Sequence, residues 1–299
     1  MNWKLHLLGF KSYLQLERSL SPNTIEAYMG DLQKLMQFLE LKTYSISPSE
    51  LSLQHLQEFL RWINELGMSA TSQARVISGI RAFYKYLLLE NNLKNDPTTL
   101  LEAPKLGRKL PDTLSLEEIN ALIAAIDLSK PEGQRNKAML ETLYSCGLRV
   151  SELVNLRISN LYLNDGFVKV TGKGDKERLV PIGSVATDQI TIYREQVRVH
   201  LPVKKIAEDI LFLNRRGSGM SRVMVFTIIR QLVEKIGLKK TVSPHTFRHS
   251  FASHLIDGGA DLRAVQEMLG HESITTTEIY THLDREYLRA AIQQFHPRS

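Results

Sequence analysis

The sequence predicts a mainly α-helical protein with a small β-sheet, built as a two-domain clamp. Three observations lead there. Apolar residues recur at helical spacing through most of the chain, a single stretch alternates like a strand pair, and a breaker-rich basic segment near residue 104 interrupts all periodicity. At 299 residues the chain is long enough for two separate cores.

The first hundred residues read as helices. In "SLSPNTIEAYMGDLQKLMQFLEL", Ser21 is the expected N-cap and Pro22 the first helical residue. Ile25, Tyr28, Leu32, Leu35 and Leu39 then follow at helical spacing. A second helix is predicted from Leu51 to Leu66, stopped by Gly67. A third, from Ser69 to about Glu90, carries Val76, Ile80, Phe83 and Leu87 on one face, with Arg75, Arg81 and Lys85 elsewhere.

The stretch "EAPKLGRKLPDTLS" holds Pro104, Gly107 and Pro111 with the basic residues Lys105, Arg108 and Lys109, and Lys94 lies shortly before it. The predicted organisation is therefore a helical domain over 1–103, a linker over 104–113 and a second domain over 114–299. The second domain opens with a capping box, Ser115 and Glu118, ahead of "INALIAAI". Within it, "GFVKVTGKGDKERLVPI" places Phe167, Val168 and Val170 before Gly172 and Gly174, and Leu179, Val180 and Ile182 after them. That is a hairpin with Lys173 near its tip. There is no internal repeat and no low-complexity tract.

Composition narrows the function classes. A formal net charge of +6 suits a polyanionic partner without requiring one. Cys146 is the single cysteine, which excludes an internal disulfide and a cysteine-based zinc site. No apolar run approaches the roughly 18 residues of a membrane span. The apolar part of "MNWKLHLLGF" is too short for a secretory signal. The expectation is a cytoplasmic protein with no membrane partner.

The densest chemistry lies in "SPHTFRHSFASHL". Ser243 and Pro244 start a helix, so His245 and Arg248 stand three apart in its first turn, where unpaired amides and the helix dipole suit an anion. Phe247, Phe251 and Leu255 form a separate stripe that should face the core. His245 and His249 have the spacing of a zinc-protease helix, yet Thr246 stands where that motif needs its glutamate base, so neither a metal nor another cofactor is expected. "LYSCGLRVSELVNL" ends one helix at Gly147 and starts another at Arg149, with Glu152 one turn on. "MLGHESITTTEIYTHL" ends a helix at Gly270, follows it with His271 and brings Tyr280 onto the next. "TGKGDK" lacks the spacing of a Walker loop. Taken singly, each of these has an ordinary structural reading: capping histidines, a paired arginine, a tyrosine among ten.

Taken together, the order Arg149, Lys173, His245, Arg248, His271 and Tyr280 resembles the catalytic set of the tyrosine recombinase (phage integrase) family. "GLRVSEL", "HTFRHSFASHL" and "LGHESITTTEIYTHL" carry the match, and "SPNTIEAYMGDLQKLMQFL" is similar to the family's helical core-binding domain. The layout leaves no room for an additional arm-binding domain before it, which resembles the compact Xer recombinases.

The resemblance implies a metal-independent DNA strand transferase working through a 3′-phosphotyrosyl link. Tyr280 would be the nucleophile, Arg149 and Arg248 the phosphate clamp, His245 the proton acceptor, Lys173 the proton donor to the leaving oxygen, and His271 a phosphate or nucleophile contact. Glu152 would orient the arginines, and His249 would support the pocket. Arg75 is the candidate for groove contact from the first domain, with Lys105, Arg108 and Lys109 contacting phosphates from the linker.

"DREYLRAAIQQFHPRS" spaces Tyr287, Leu288, Ala291, Ile292 and Phe295 as a helix. In the family such a helix docks into a neighbouring protomer. The implied partners are a double-stranded DNA recombination site, a homo- or hetero-tetramer with a sister recombinase, and a cell-division DNA translocase, in a nucleoid-associated role resolving chromosome or plasmid dimers. A mobile-element integrase shares the same chemistry. A type IB topoisomerase shares its logic but not the core-binding match. A purely architectural DNA-binding protein would be marked by loss of Tyr280 or an arginine, and none is lost.

Overall fold

The structure, a computed structural model, describes residues 3–90, 92–93, 95–105, 112–172, 175–270 and 282–299, with the backbone alone at 282–285. The chain forms two compact units, Met1–Lys109 and Leu110–Ser299. No helix among the described residues is long and apolar enough to cross a membrane.

The first unit contains α1 (Trp3–Ser12), continued by a wider turn over Tyr13–Glu17, then α2 (Pro22–Leu41), α3 (Leu53–Glu65) and α4 (Ala70–Leu89). Ser21 caps α2 as its sequence predicts, its hydroxyl accepting from the Thr24 amide, with Pro22 next. Ile25, Leu32, Leu35 and Leu39 are buried, and Tyr28 is half-buried. Helix α3 starts two residues later than expected, because Ser52 is the cap and its amide donates to His55 Nδ1. Leu51 is buried outside the helix. Gly67 ends α3 with φ +77°, in the left-handed region that favours glycine.

Helix α1 was not singled out by the sequence. It is anchored by Trp3, which stacks on Phe83 and donates its indole N–H to Ile46 O at 3.0 Å. Phe10, Phe38, Phe59 and Phe83 fill the core between the helices.

The second unit runs α5 (Leu116–Ala124), α6 (Gly133–Ser145), α7 (Val150–Val154), β1 (Leu161–Tyr162), β2 (Phe167–Thr171), β3 (Glu177–Pro181), α8 (Ser184–Gln196), α9 (Arg222–Lys235), α10 (Pro244–Gly258), α11 (Leu262–Leu269) and α12 (His282–Phe295). The Ser115–Glu118 capping box forms. The expected hairpin is β2–β3, antiparallel, pairing Val168 with Val180 and Val170 with Arg178. A third strand, β1, adds to its edge through Leu161↔Val168 and Tyr162↔Phe167. Two residues are too few to leave an alternating pattern in the sequence. Helices α6 and α10 cross at the centre of the core, where Leu143, Tyr144, Phe247 and Phe251 are fully buried.

Leu288, Ala291 and Ile292 of α12 pack into the core of this unit, while Tyr287 stays exposed. The tail beyond α12 is held as well. The His296 ring lies between Tyr144 and Phe251, with centroids at 4.8 and 5.4 Å. Arg298 donates to Asn120 Oδ1 at 2.7 Å and pairs with Glu141 at 3.4 Å. A side chain at Gly183 would strike the Arg298 carbonyl.

Burial, with the nearby His254 and Arg298, pushes the His296 imidazole down to about 3. The unfolded chain therefore takes up a proton near pH 6.5 that the folded chain refuses until about pH 3. Stability should be full above pH 6.5 and fall as pH drops through that window, by at most ~1.4 kcal/mol per pH unit from this group. Urea unfolding of His296→Phe between pH 7 and pH 4 should show a shallower decline than the parent protein.

Candidate active site

The site begins where α6 ends. Gly147 takes φ +55°, and a Cβ there would sit 2.3 Å from the Phe251 ring, so only glycine lets the chain turn this close to α10. Two residues later Arg149 enters α7. Its amide donates to Glu152 Oε2 at 2.8 Å, and its Nη1 donates to Glu152 Oε1 at 2.9 Å. The spacing Arg-x-x-Glu thus closes a helix cap and an ion pair together.

Helix α10 brings the second guanidinium. Ser243 caps it, accepting from the Thr246 amide, and Pro244 follows. Phe247, Phe251 and Leu255 face the core as expected. Arg248 lies deep beside them, with Nη1 donating to Gly147 O at 2.7 Å and Nη2 to Leu269 O. Helix α11 ends nearby at Gly270, whose φ is +64°. Gly270 O accepts from Arg149 Nη2 at 3.2 Å.

A third arginine, not expected from the sequence, completes the cluster. Arg178 on β3 is 7% exposed. It donates through Nη1 and Nη2 to both oxygens of Glu152, at 2.7 and 3.0 Å, and through Nε to Met268 O at 2.9 Å. A usable signal was present. In "ERLVPI", Arg178 is in phase with Val180 and Ile182, both buried, so the strand's period already points this arginine inward.

The carboxylate of Glu152 lies among these cations. Burial pushes it up, but hydrogen bonds and charge from Arg178, then bonds from Arg149, outweigh that and hold it below the usual range. Arg248 moves the other way. Burial and the Arg149 charge push it down to about 10, so it remains a cation at neutral pH. Three guanidiniums face one carboxylate, a buried excess of positive charge shaped for an oxyanion.

The remaining expected residues distribute as follows. His245 is exposed in the first turn of α10, on the same helix as Arg248. His249, on the same helix, is exposed too. Two positions past Phe247, it points away from the core stripe. Lys173, His271 and Tyr280 lie outside the described residues, as do Lys94, Arg108 and Lys109. In the first unit, Lys105 is exposed, and Arg75 is half-exposed with Nη1 2.5 Å from the fully buried Asp31 carboxylate.

Removing Glu152 would leave three guanidiniums without their shared counter-charge. Glu152→Ala is expected to cost about 3–5 kcal/mol, read from urea unfolding of the second unit.

With this geometry in place, comparison with known proteins gives a consistent result. Residues 112–286 match the phage integrase family, and residues 7–91 match the phage integrase N-terminal SAM-like domain. Tyrosine recombinase XerD of Staphylococcus aureus (strain N315) is 46% identical over 288 residues, spanning 96% of this chain and 97% of that protein. XerD of Staphylococcus saprophyticus is 45% identical, spanning 97% and 98%. Among solved structures, the XerH recombinase in its post-cleavage complex with a palindromic difH substrate superimposes with a TM-score of 0.70, at 26% identity over 95% of this chain and 83% of that one. The chain belongs to the phage integrase family, as an Xer-type tyrosine recombinase, an enzyme of DNA strand cleavage and rejoining.

Proposed function

We propose that this chain recombines a specific double-stranded DNA site through a 3′-phosphotyrosyl intermediate, in the resolution of chromosome or plasmid dimers. The observation that carries the reading is the buried excess of guanidinium charge around Glu152, with Arg149 and Arg248 each using only two of five N–H donors on described residues. A phosphodiester gathers negative charge on its non-bridging oxygens as it becomes five-coordinate, and two fixed planar cations stabilise that charge more than the ground state.

In this scheme the Tyr280 oxygen attacks the phosphorus, the bond to the 5′ oxygen breaks, and a 3′-phosphotyrosyl link remains. His245 receives the phenolic proton and Lys173 protonates the departing 5′ oxygen. A 5′-hydroxyl from another strand then attacks the link and releases Tyr280. One phosphoester is exchanged for another, so the bond energy is retained and no nucleotide is consumed. His271 contacts the phosphate or the nucleophile, and Glu152 orients the arginines.

The XerH complexes are described before and after cleavage of a difH substrate, which supports a DNA site as the partner. The similarity to XerD over nearly the whole chain favours dimer resolution over a mobile-element role. The same reading takes in a homo- or hetero-tetramer with a sister recombinase, in which α12 leaves its own core for a neighbour's, and control by a cell-division DNA translocase. Arg75 reaches a groove from the first unit while Lys105, Arg108 and Lys109 supply phosphate contacts, so site affinity should fall steeply with salt.

Incubation with sheared DNA from the protein's own cells should yield a protease-sensitive covalent adduct, unaffected by a chelator, whose sequenced ends define the site. Tyr280→Phe should abolish the adduct, and an adduct that persists would refute the assignment. Arg149→Lys and Arg248→Lys should lower the cleavage rate by roughly 10²–10³ while site affinity changes little. Equal losses in binding would make these residues anchors only.

A further inference from the structure

The geometry points to Arg178 as a positioning residue for strand cleavage: it sets the Arg149 guanidinium against the scissile phosphate by holding both Glu152 and the end of α11. The inference rests on the recombinase reading above and adds to it a residue outside the expected catalytic set.

Arg178 is too buried to meet a substrate directly. Its guanidinium lies behind Glu152, and its two terminal nitrogens occupy both carboxylate oxygens. Glu152 in turn fixes Arg149 twice, through the backbone amide and through Nη1. The Arg178 Nε bond to Met268 O ties the same assembly to α11, two residues before the Gly270 carbonyl that holds Arg149 Nη2. Both restraints on the Arg149 fork, Glu152 Oε1 and Gly270 O, are therefore themselves braced by Arg178. Gly270 is shaped for this approach, since a Cβ there would come within 3.1 Å of the Arg178 side chain.

Only arginine can make this three-way brace. A lysine at 178 would bring the charge but a single donor group, unable to bridge two carboxylate oxygens and a carbonyl in one plane. Arg178 also strengthens the positive local field. With Arg149 and Arg248 alone, Glu152 would cancel half the charge offered to the phosphate. A third cation behind the carboxylate offsets that loss, so the charge of both facing arginines stays available.

The test uses the full-length protein with Arg178→Gln and Arg178→Lys, and a synthetic duplex of the site recovered from the covalent adducts. Two versions of the duplex are compared, one with the natural scissile phosphate and one with a methylphosphonate there, which carries no charge. Single-turnover adduct formation on the phosphate should fall about 100-fold in Arg178→Gln, as expected for a displaced catalytic group, with site affinity within a few-fold of the parent. On the methylphosphonate the deficit should shrink below about 10-fold, because an uncharged centre depends less on a correctly placed guanidinium. Arg178→Lys should lie between the two on the phosphate.

A deficit of equal size on both duplexes would overturn the proposal, since general distortion does not read the phosphate's charge. Parent-like rates in both variants would overturn it as well. If Arg178→Gln does not fold, Arg178→Lys carries the same comparison, and failure of both to fold would assign Arg178 to stability alone. No adduct from the parent protein would refute the recombinase reading instead.

Discussion

The catalytic unit depends on how one short helix ends. Three consecutive carbonyls at the C-terminus of α11 each accept a hydrogen bond from a different arginine: Met268 from Arg178, Leu269 from Arg248 and Gly270 from Arg149. The last carbonyls of a helix have no partner within it and carry the negative end of its dipole, so cations are favourable there. The three arginines come from β3, α10 and the start of α7, segments far apart in sequence. Satisfying one helix end therefore fixes the relative placement of three elements, and Glu152 locks two of the arginines to each other.

Gathering that much like charge opposes folding, and the stabilising counterweight is apolar. Phe247, Phe251 and Leu255 are completely buried on α10, and the Gly147 turn packs directly on the Phe251 ring. Burial of such side chains contributes roughly 1.5–3 kcal/mol each. The same helix thus presents an aromatic face that holds the unit together and an arginine that the unit would, on stability grounds alone, be better without. Charge held by packing rather than by local pairing stays fixed when a phosphate arrives, and little reorganisation is needed.

What the sequence made legible follows from how local the cause is. Ser21–Pro22, Ser115–Glu118 and Ser243–Pro244 act within one helical turn, so the residues alone disclose the helix starts. The β2–β3 hairpin showed in its alternation, and the α10 stripe in its spacing. Helix α1 is harder to read, because its buried residues Trp3, Leu7 and Phe10 fall in a short apolar stretch at the start of the chain that also has the look of a leader segment. Strand β1 exists only through its pairing with β2. Arg149, Glu152 and Arg248 were legible as motif residues, whereas Arg178 acts across three elements and gave only its strand phase as a sign. His245 and His249 stand four apart on α10, and the structure leaves both exposed with Arg248 buried between them.

The terminal helix closes the unit it belongs to with a face that a copy of the chain could also receive. The face of α12 carrying Leu288, Ala291 and Ile292 is complementary to the unit it belongs to, and the tail seat around His296 and Arg298 is built from the same chain. Because copies of the chain are identical, the seat offered by a neighbour has the same residues as its own. Exchange would then remake each contact it breaks, so its equilibrium is governed by effective concentration and not by new complementarity. A specific docking surface and a self-closing helix are in that case the same physical object.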